Sequence, residues 1–257
     1  MKYSQRLLCM AQEVSCDDQV IDIGSDHGYL PILLWERCPG IKVIVSDISP
    51  GSLKKAKENI GSYLTDDQEK QWASFRLGSG LSVVSPGEAT VAVVAGMGGL
   101  LISQILEESE KIARNLDKLI LQPRNGQGKL RYWLLKNGYQ IVKERLAKEG
   151  KFICEILVVR STSTAPISLE WSLGKEIEFE VPQHLLEVPD RELVAPFLRG
   201  KLEQEQNIRN ALACSNSPDL VKAAVTDNRI SYLEALIQRW EEDQNEHMEA
   251  GINGSSQ

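Results

Sequence analysis

The stretch Val20-Ile-Asp-Ile-Gly-Ser-Asp-His-Gly-Tyr-Leu30 constrains this chain most. Val20 to Ile23 read as a short buried strand, Gly24 and Gly28 bracket a tight turn, and Leu30 to Trp35 continue as an apolar helix. Pro31 falls in that helix's first turn, where a missing N–H costs little. A strand passing through a glycine turn into a helix leaves backbone N–H groups free to hold a carboxylate or a phosphate. About twenty residues on, Lys42 to Ser46 form a second strand ending in Asp47. An acid there can take both hydroxyls of a ribose. Glycine turn and ribose acid together point to a nucleoside cofactor without saying which.

The rest of the first 160 residues repeats the alternation. Tyr3 to Val14 has helical spacing, with Arg6 on or near the polar side. Ser49-Pro50-Gly51-Ser52 opens a helix that runs through Ile60. Phe75 to Leu77 is a strand ending in Gly78-Ser79-Gly80, and Val91 to Ala95 a strand ending in Gly96-Met97-Gly98-Gly99. Leu100 to Ala113 reads as one helix, Leu119 to Leu121 as a strand, and Gln122 to Gly128 as a polar loop. A helix over Leu130 to Lys136 stops at Asn137-Gly138, which is C-cap chemistry. Tyr139 to Arg145 and Phe152 to Val159 form a closing hairpin. This pattern predicts a doubly wound α/β sheet, mostly parallel, with one reversed strand at its edge. In such sheets ligands sit beyond the carboxyl ends of the strands, and the glycine-rich turns fall at those ends.

The character changes after Arg160. Residues 161–190 read as a linker, and 191–243 as two amphipathic helices forming an antiparallel hairpin close to a coiled coil, with Ser217 capping the second and Pro218 as its first residue. Residues 244–257 have no apolar pattern and are expected to be disordered. The apolar stripes of the two helices are expected to form the hairpin's own core.

Composition narrows the function classes. No apolar run approaches the ~18 residues of a membrane span, and the N-terminus lacks the apolar core of a signal peptide. The five cysteines include no Cys-x-x-Cys pair, and the three histidines lie far apart in sequence. Free thiols in a cytoplasmic protein, with no metal site, are the expectation. The net charge of −7 speaks against a polyanion partner until it is divided. Residues 161–257 carry 8 basic and 17 acidic side chains, whereas Lys111 to Lys151 contains 11 basic residues against Asp117, Glu144 and Glu149. Singly each cation reads as a solvated side chain; together they make a local basic surface suited to nucleic acid.

Asp26 decides the cofactor class. It stands where a dinucleotide-binding turn has its middle glycine, and a carboxylate held against a pyrophosphate is unfavourable. S-adenosylmethionine has no phosphate and carries a sulfonium and an ammonium, which Asp22 and Asp26 can favour. Gly78 to Gly80 would lie against its adenine and Gly96 to Gly98 beside its methionine part. The sequence also lacks the Asp/Asn-Pro-Pro-aromatic loop after the fourth strand that enzymes methylating exocyclic amines present. Its absence favours a ring nitrogen, which has a free lone pair and needs no base.

Asp22-Ile-Gly-Ser-Asp-His-Gly-Tyr-Leu-Pro31, Ala95-Gly-Met-Gly-Gly99, Leu119-Ile-Leu-Gln-Pro123 and Leu130-Arg131-x-Trp133-Leu134 resemble the bacterial tRNA (adenine-22 N1)-methyltransferases of the TrmK type. Ser4-x-Arg6-Leu7 and Glu155-Ile156-Leu157-Val158 match as well, and the resemblance covers about residues 3–160. It implies a Class I (Rossmann-like) methyltransferase domain over 1–160 that methylates N1 of adenosine 22 in tRNA. It implies cofactor contacts at Asp22, Gly24, Asp26, His27, Asp47, Gly78, Ser79, Gly80 and Gly96, with Ser25, Gly28, Ile48 and Met97 beside them. Ser79 stands where Class I enzymes often place an acid, and its hydroxyl accepts a hydrogen bond more weakly. Asp26, His27 and Arg6 are the catalytic candidates. Tyr29, Arg124, Asn125, Lys129 and Arg131 are the substrate candidates, the charged ones for tRNA phosphates. From the residues alone, Asp26 and His27 read rather as a turn-stabilising Asx bond and a partly buried imidazole, and Arg6 as a surface helix residue; it is the resemblance that places them in the site. A small-molecule methyltransferase, one acting on another RNA, and a non-catalytic tRNA-binding module are the alternatives. Oligomeric state stays open.

Overall fold

The computed structural model describes residues 3–162, 177–214 and 219–254. The chain divides into two compact units, Met1–Glu170 and Trp171–Gln257.

The first unit is one seven-stranded sheet in the order β3-β2-β1-β4-β5-β7-β6. Its elements are α1 (Gln5–Gln12), β1 (Gln19–Ile23), α2 (Tyr29–Arg37), β2 (Lys42–Asp47), α3 (Pro50–Gly61), α4 (Asp66–Trp72) and β3 (Ala73–Leu77). After them come β4 (Val91–Gly98), α5 (Gly99–Glu108), α6 (Glu110–Asn115), β5 (Lys118–Asn125), α7 (Gln127–Lys136), β6 (Tyr139–Glu149) and β7 (Phe152–Ser161). Strands β1 to β5 pair in parallel, and β7 runs antiparallel to both β5 and β6. The reversed strand is therefore one in from the edge. The edge strand is β6, because the tight β6–β7 turn returns the chain between β6 and β5.

The strands are covered on both faces, so their apolar residues run without alternation. Val20, Val91 and Val93 belong to the cluster packed by Met10, Ile32, Trp35 and Ile60. Ile21, Ile23, Ala92 and Val94 belong to the opposite cluster with Ile102, Leu106, Leu130 and Leu134. Local chemistry fixes the helix starts. Ser4 caps α1 by accepting from the Leu7 N–H, and Ser49 caps α3 ahead of Pro50. Helix α4 carries a Thr65–Gln68 capping box but buries no residue. It has no apolar period to read, so only its cap announces it.

Several expectations change. The helix read over Leu100 to Ala113 breaks at Ser109 into α5 and α6. Strand β5 runs on to Asn125 and α7 begins at Gln127, so the polar loop shrinks to one residue, Gly126. Cys16 and Cys38 are joined in a disulfide, correcting the expectation of free thiols throughout. One cysteine lies after α1 and the other caps α2, and packing of the two helices brings their Cα atoms to 5.1 Å. Cys9, Cys154 and Cys214 form no disulfide among the described residues.

In the second unit, part of the expected linker is ordered. Helix α8 (Ile177–Glu180) and short 3₁₀ turns at Leu185–Glu187 and Arg191–Leu193 bury Ile177, Phe179, Leu185 and Leu193. Helices α9 (Val194–Ala213) and α10 (Leu220–Gly254) follow. Arg209–Asp227 and Arg229–Glu205 ion pairs at 2.6 and 3.0 Å join α9 to α10, and Arg191 lies over the Trp240 ring. The stripes are buried only in part. Phe197, Leu198, Leu233 and Trp240 are covered, whereas Ile208, Leu220 and Val221 face solvent. Helix α10 also continues to Gly254, past the point where disorder was expected, because Glu, Gln, Met and Ala sustain a helix without an apolar period. Ser217 and Pro218 lie outside the described residues.

Candidate active site

Parallel pairing brings the carboxyl ends of β1, β2, β3 and β4 to one edge of the sheet. The turn after β1 is held to the neighbouring strand, since the N–H groups of Gly24 and Ser25 both donate to the Ser46 carbonyl. Gly28 caps α2 at φ +68, and a Cβ there would meet Ile60 at 2.9 Å, so both backbone and packing demand glycine. This turn lifts Asp26 and His27 into solvent, with His27 Nε2 3.2 Å from Asp26 Oδ2 and the His27 ring stacked on Tyr29 at 5.4 Å. At the end of β2, Asp47 accepts the Ser49 N–H on Oδ1 at 2.7 Å. Ile48 beside it is 73% exposed. Gly78, Ser79 and Gly80 close β3, with the Gly78 N–H donating to the Asp47 carbonyl.

Asp22 is buried inside β1. Burial pushes its carboxyl up to about 6, opposed by the nearby Ser25 hydroxyl, assisted by Asp47 and opposed more weakly by Arg6. The Ser25 hydroxyl, itself buried, has no hydrogen-bond partner of ordinary geometry. A buried acid beside a buried hydroxyl at the strand end suits a cationic ligand group.

Strand β4 does not stop at Ala95. It passes through a bulge, with Ala95 opposite Gln122, Met97 opposite Pro123 and Gly98 opposite Asn125. Gly96 is the extra residue, at φ +76, and a Cβ added there would meet nothing within 4 Å. The bulge takes the Gly96 N–H out of the ladder. That N–H donates to Gln122 Oε1 at 3.0 Å, and Arg6 Nη1 donates to the same oxygen at 3.3 Å. Arg6 Nε also binds Glu149 Oε2 at 2.8 Å, at the end of β6. Helix α1, two strand ends and the hairpin thus meet in one chain of hydrogen bonds. The open space over Gly96 and the acids of β1 and β2 lie along the same edge of the sheet.

The structure gathers Asp22, Gly24, Ser25, Asp26, His27, Gly28, Asp47, Ile48, Gly78, Ser79, Gly80, Gly96 and Met97 along this edge, with Tyr29, Arg124, Asn125 and Lys129 on the same side and Arg6 reaching in from α1. Arg131 is the exception. It is fully buried, bound to Glu144 at 2.8 Å and Glu155 at 2.6 Å, and is withdrawn as a tRNA contact. Burial acts to lower its pKa, but Glu155 and Glu144 outweigh that and leave it raised. Sequence reasoning missed Gln122 and Glu149. A lone amide closing the apolar run Leu119–Leu121 was the available sign for Gln122; Glu149 gave none. Among the described residues no cluster of three metal-binding side chains occurs.

A family model for the methyltransferase domain matches residues 3–157, more than half the chain. The tRNA (adenine(22)-N(1))-methyltransferase of Bacillus subtilis is 33% identical over 161 residues, an alignment spanning 63% of this chain and 66% of that protein. The chain belongs to the TrmK-type tRNA (adenine-22 N1)-methyltransferase family. Among solved members, the crystal structure of B. subtilis TrmK superposes with a TM-score of 0.74 at 26% identity, covering 92% of this chain and 99% of that one. Sp1610 of Streptococcus pneumoniae, solved in complex with S-adenosyl-L-methionine, superposes with a TM-score of 0.73 at 29% identity, covering 92% and 100%.

Proposed function

We propose that this protein transfers a methyl group from S-adenosylmethionine to N1 of adenine 22 in tRNA. The observation that carries the reading is the exposed Asp26 after β1 and the open Gly96 bulge on the neighbouring strand β4, at one edge of the sheet, in a chain whose B. subtilis relative acts on that base. When bound, S-adenosylmethionine supplies a methyl already activated on its sulfonium. Asp47 would hold the ribose hydroxyls through the oxygen not bonded to Ser49, and Asp22 with the Ser25 hydroxyl would hold the ammonium. Ile48 and Gly78 to Gly80 would border the adenine ring, and Gly96 and Met97 the methionine part. Adenine N1 offers an in-plane lone pair at neutral pH, so no side chain has to remove a proton first. The base gains positive charge as it reacts, and the Asp26 carboxylate stabilises that charge. His27 orients Asp26, and Tyr29, Arg124, Asn125 and Lys129 receive the tRNA. The reading places the protein in the cytoplasm with its substrate. With Cys16 and Cys38 bonded, thiol chemistry no longer supports that placement.

The test is methyl incorporation from labelled cofactor into unmodified tRNA, and into the same tRNA with guanosine at position 22. Transfer only to the first supports the reading; equal transfer to both contradicts it.

Asp22 gives a second expected outcome. Its folded pKa of about 6 lies above its ordinary 3.8, so the ligand-free folded protein holds this proton more tightly than the unfolded chain does. Its burial therefore lowers stability as pH rises from about 4 through about 6. A bound ammonium reverses the preference, because it needs the ionised acid. Cofactor affinity measured by calorimetry is expected to rise about tenfold between pH 5 and pH 7. Asp22→Asn is expected to bind more weakly with a flat profile over the same range. A wild-type affinity that does not change with pH would remove Asp22 from the site.

A further inference from the structure

Eleven basic residues lie between Lys111 and Lys151, and the fold neutralises five of them. Arg114 pairs with Glu110, Lys118 with Asp18, Arg131 with Glu144 and Glu155, and Lys143 and Arg145 with Glu13. Arg124, Lys129, Lys148 and Lys151 are exposed and make no ion pair among the described residues. These four converge. Arg124 is near the end of β5, and Lys129 is in the first turn of α7. Strand β7 runs antiparallel to β5, with Leu121 opposite Leu157, so continuing that register carries the β6–β7 turn past the end of β5. Lys148 lies near the end of β6 and Lys151 in that turn, and Phe152, the first residue of β7, is 66% exposed, with the Lys151 ammonium 5.2 Å from its ring centre. The turn is also tied to the Gly96 bulge, since Glu149 at the end of β6 binds Arg6, and Arg6 binds the amide that holds Gly96.

An exposed phenylalanine among unpaired cations is poorly suited to water but well suited to nucleic acid, which offers phosphates and flat base faces together. The proposed chemistry supplies the need. N1 lies on the Watson–Crick edge, so the target adenine must be unpaired when it reacts, and a base displaced from its stack leaves a neighbour without a partner. We infer that the β6–β7 turn is a tRNA clamp, in which Phe152 stacks on an unpaired base and Lys148, Lys151, Arg124 and Lys129 contact the flanking phosphates. This rests on the reading of the protein as a tRNA methyltransferase.

The test compares the full-length wild type with Phe152→Ala, Phe152→Trp and the double variant Lys148→Glu/Lys151→Glu. Binding of unmodified tRNA is measured at several salt concentrations, alongside cofactor binding and thermal melting. Phe152→Ala is expected to weaken tRNA binding about tenfold and Phe152→Trp to restore it. The double variant is expected to reduce the slope of log affinity against log salt by about 1.5. Cofactor binding and melting are expected to stay at wild-type values, because all three side chains are exposed. If the wild type methylates tRNA while the variants bind it with unchanged affinity and salt slope, the clamp is wrong and the methyltransferase reading stands. If the wild type neither binds nor methylates tRNA, that reading falls and the clamp with it.

Discussion

Asp26→Ala is expected to lower kcat for tRNA methylation by about 100-fold while leaving the dissociation constant for S-adenosylmethionine within about threefold. The split follows from when the interaction forms. The neutral adenine gains little from a nearby carboxylate, whereas the adenine that is taking the methyl carries charge, so the contact favours the transition state over the ground state. Asp26 is 56% exposed on its side chain, so in the free protein water screens it. Its full effect requires the tRNA to close over the turn and exclude that water. Asp26→Asn keeps the shape and removes the charge, and is expected to match alanine within a few-fold. Steady-state kinetics with saturating cofactor provide the check. A variant with wild-type kcat and a raised cofactor constant would make Asp26 a cofactor contact alone.

The second large effect concerns stability. Arg131→Ala is expected to cost about 3–5 kcal/mol, because it leaves two buried carboxylates without their cation. Glu144 and Glu155 are 1% and 4% exposed on their side chains, and both belong to the hairpin, while Arg131 belongs to α7. The pair of ion bridges therefore fastens the helix that carries Lys129 to the strands that carry Phe152. Urea titration is expected to show a markedly lower midpoint for Arg131→Ala. The triple change Arg131→Met, Glu144→Gln and Glu155→Gln is expected to recover most of the loss, since no uncompensated charge remains. A midpoint for Arg131→Ala equal to wild type would mean the carboxylates find other partners or take up protons at no cost.

The contrast between Arg131 and Asp26 shows what the sequence reveals. Strands β1, β2 and β4 were legible because parallel strands covered on both faces appear as unbroken apolar runs, and the turns that follow them carry glycine for backbone reasons. That places Asp22, Asp26, Asp47 and Gly96 near one another from topology alone. Arg131 was misread because its fate depends on carboxylates 13 and 24 residues further on, which pack against it only once the hairpin closes. The Cys16–Cys38 bond depends in the same way on how two helices meet. Gly96 was found, but not its bulge, since a one-residue slip between strands leaves no mark in composition. Gln122 shows its role only through that bulge, and Glu149 only through the fold that brings it to Arg6.

The most direct test of the account is nucleoside mass spectrometry of unmodified tRNA before and after incubation with the protein and S-adenosylmethionine, with fragment mapping of the modified position. The account predicts one new nucleoside, N1-methyladenosine, at position 22, and none when the adenosine there is replaced. Methylation of an exocyclic amine, of another position, or of no nucleoside while the cofactor is bound would contradict it.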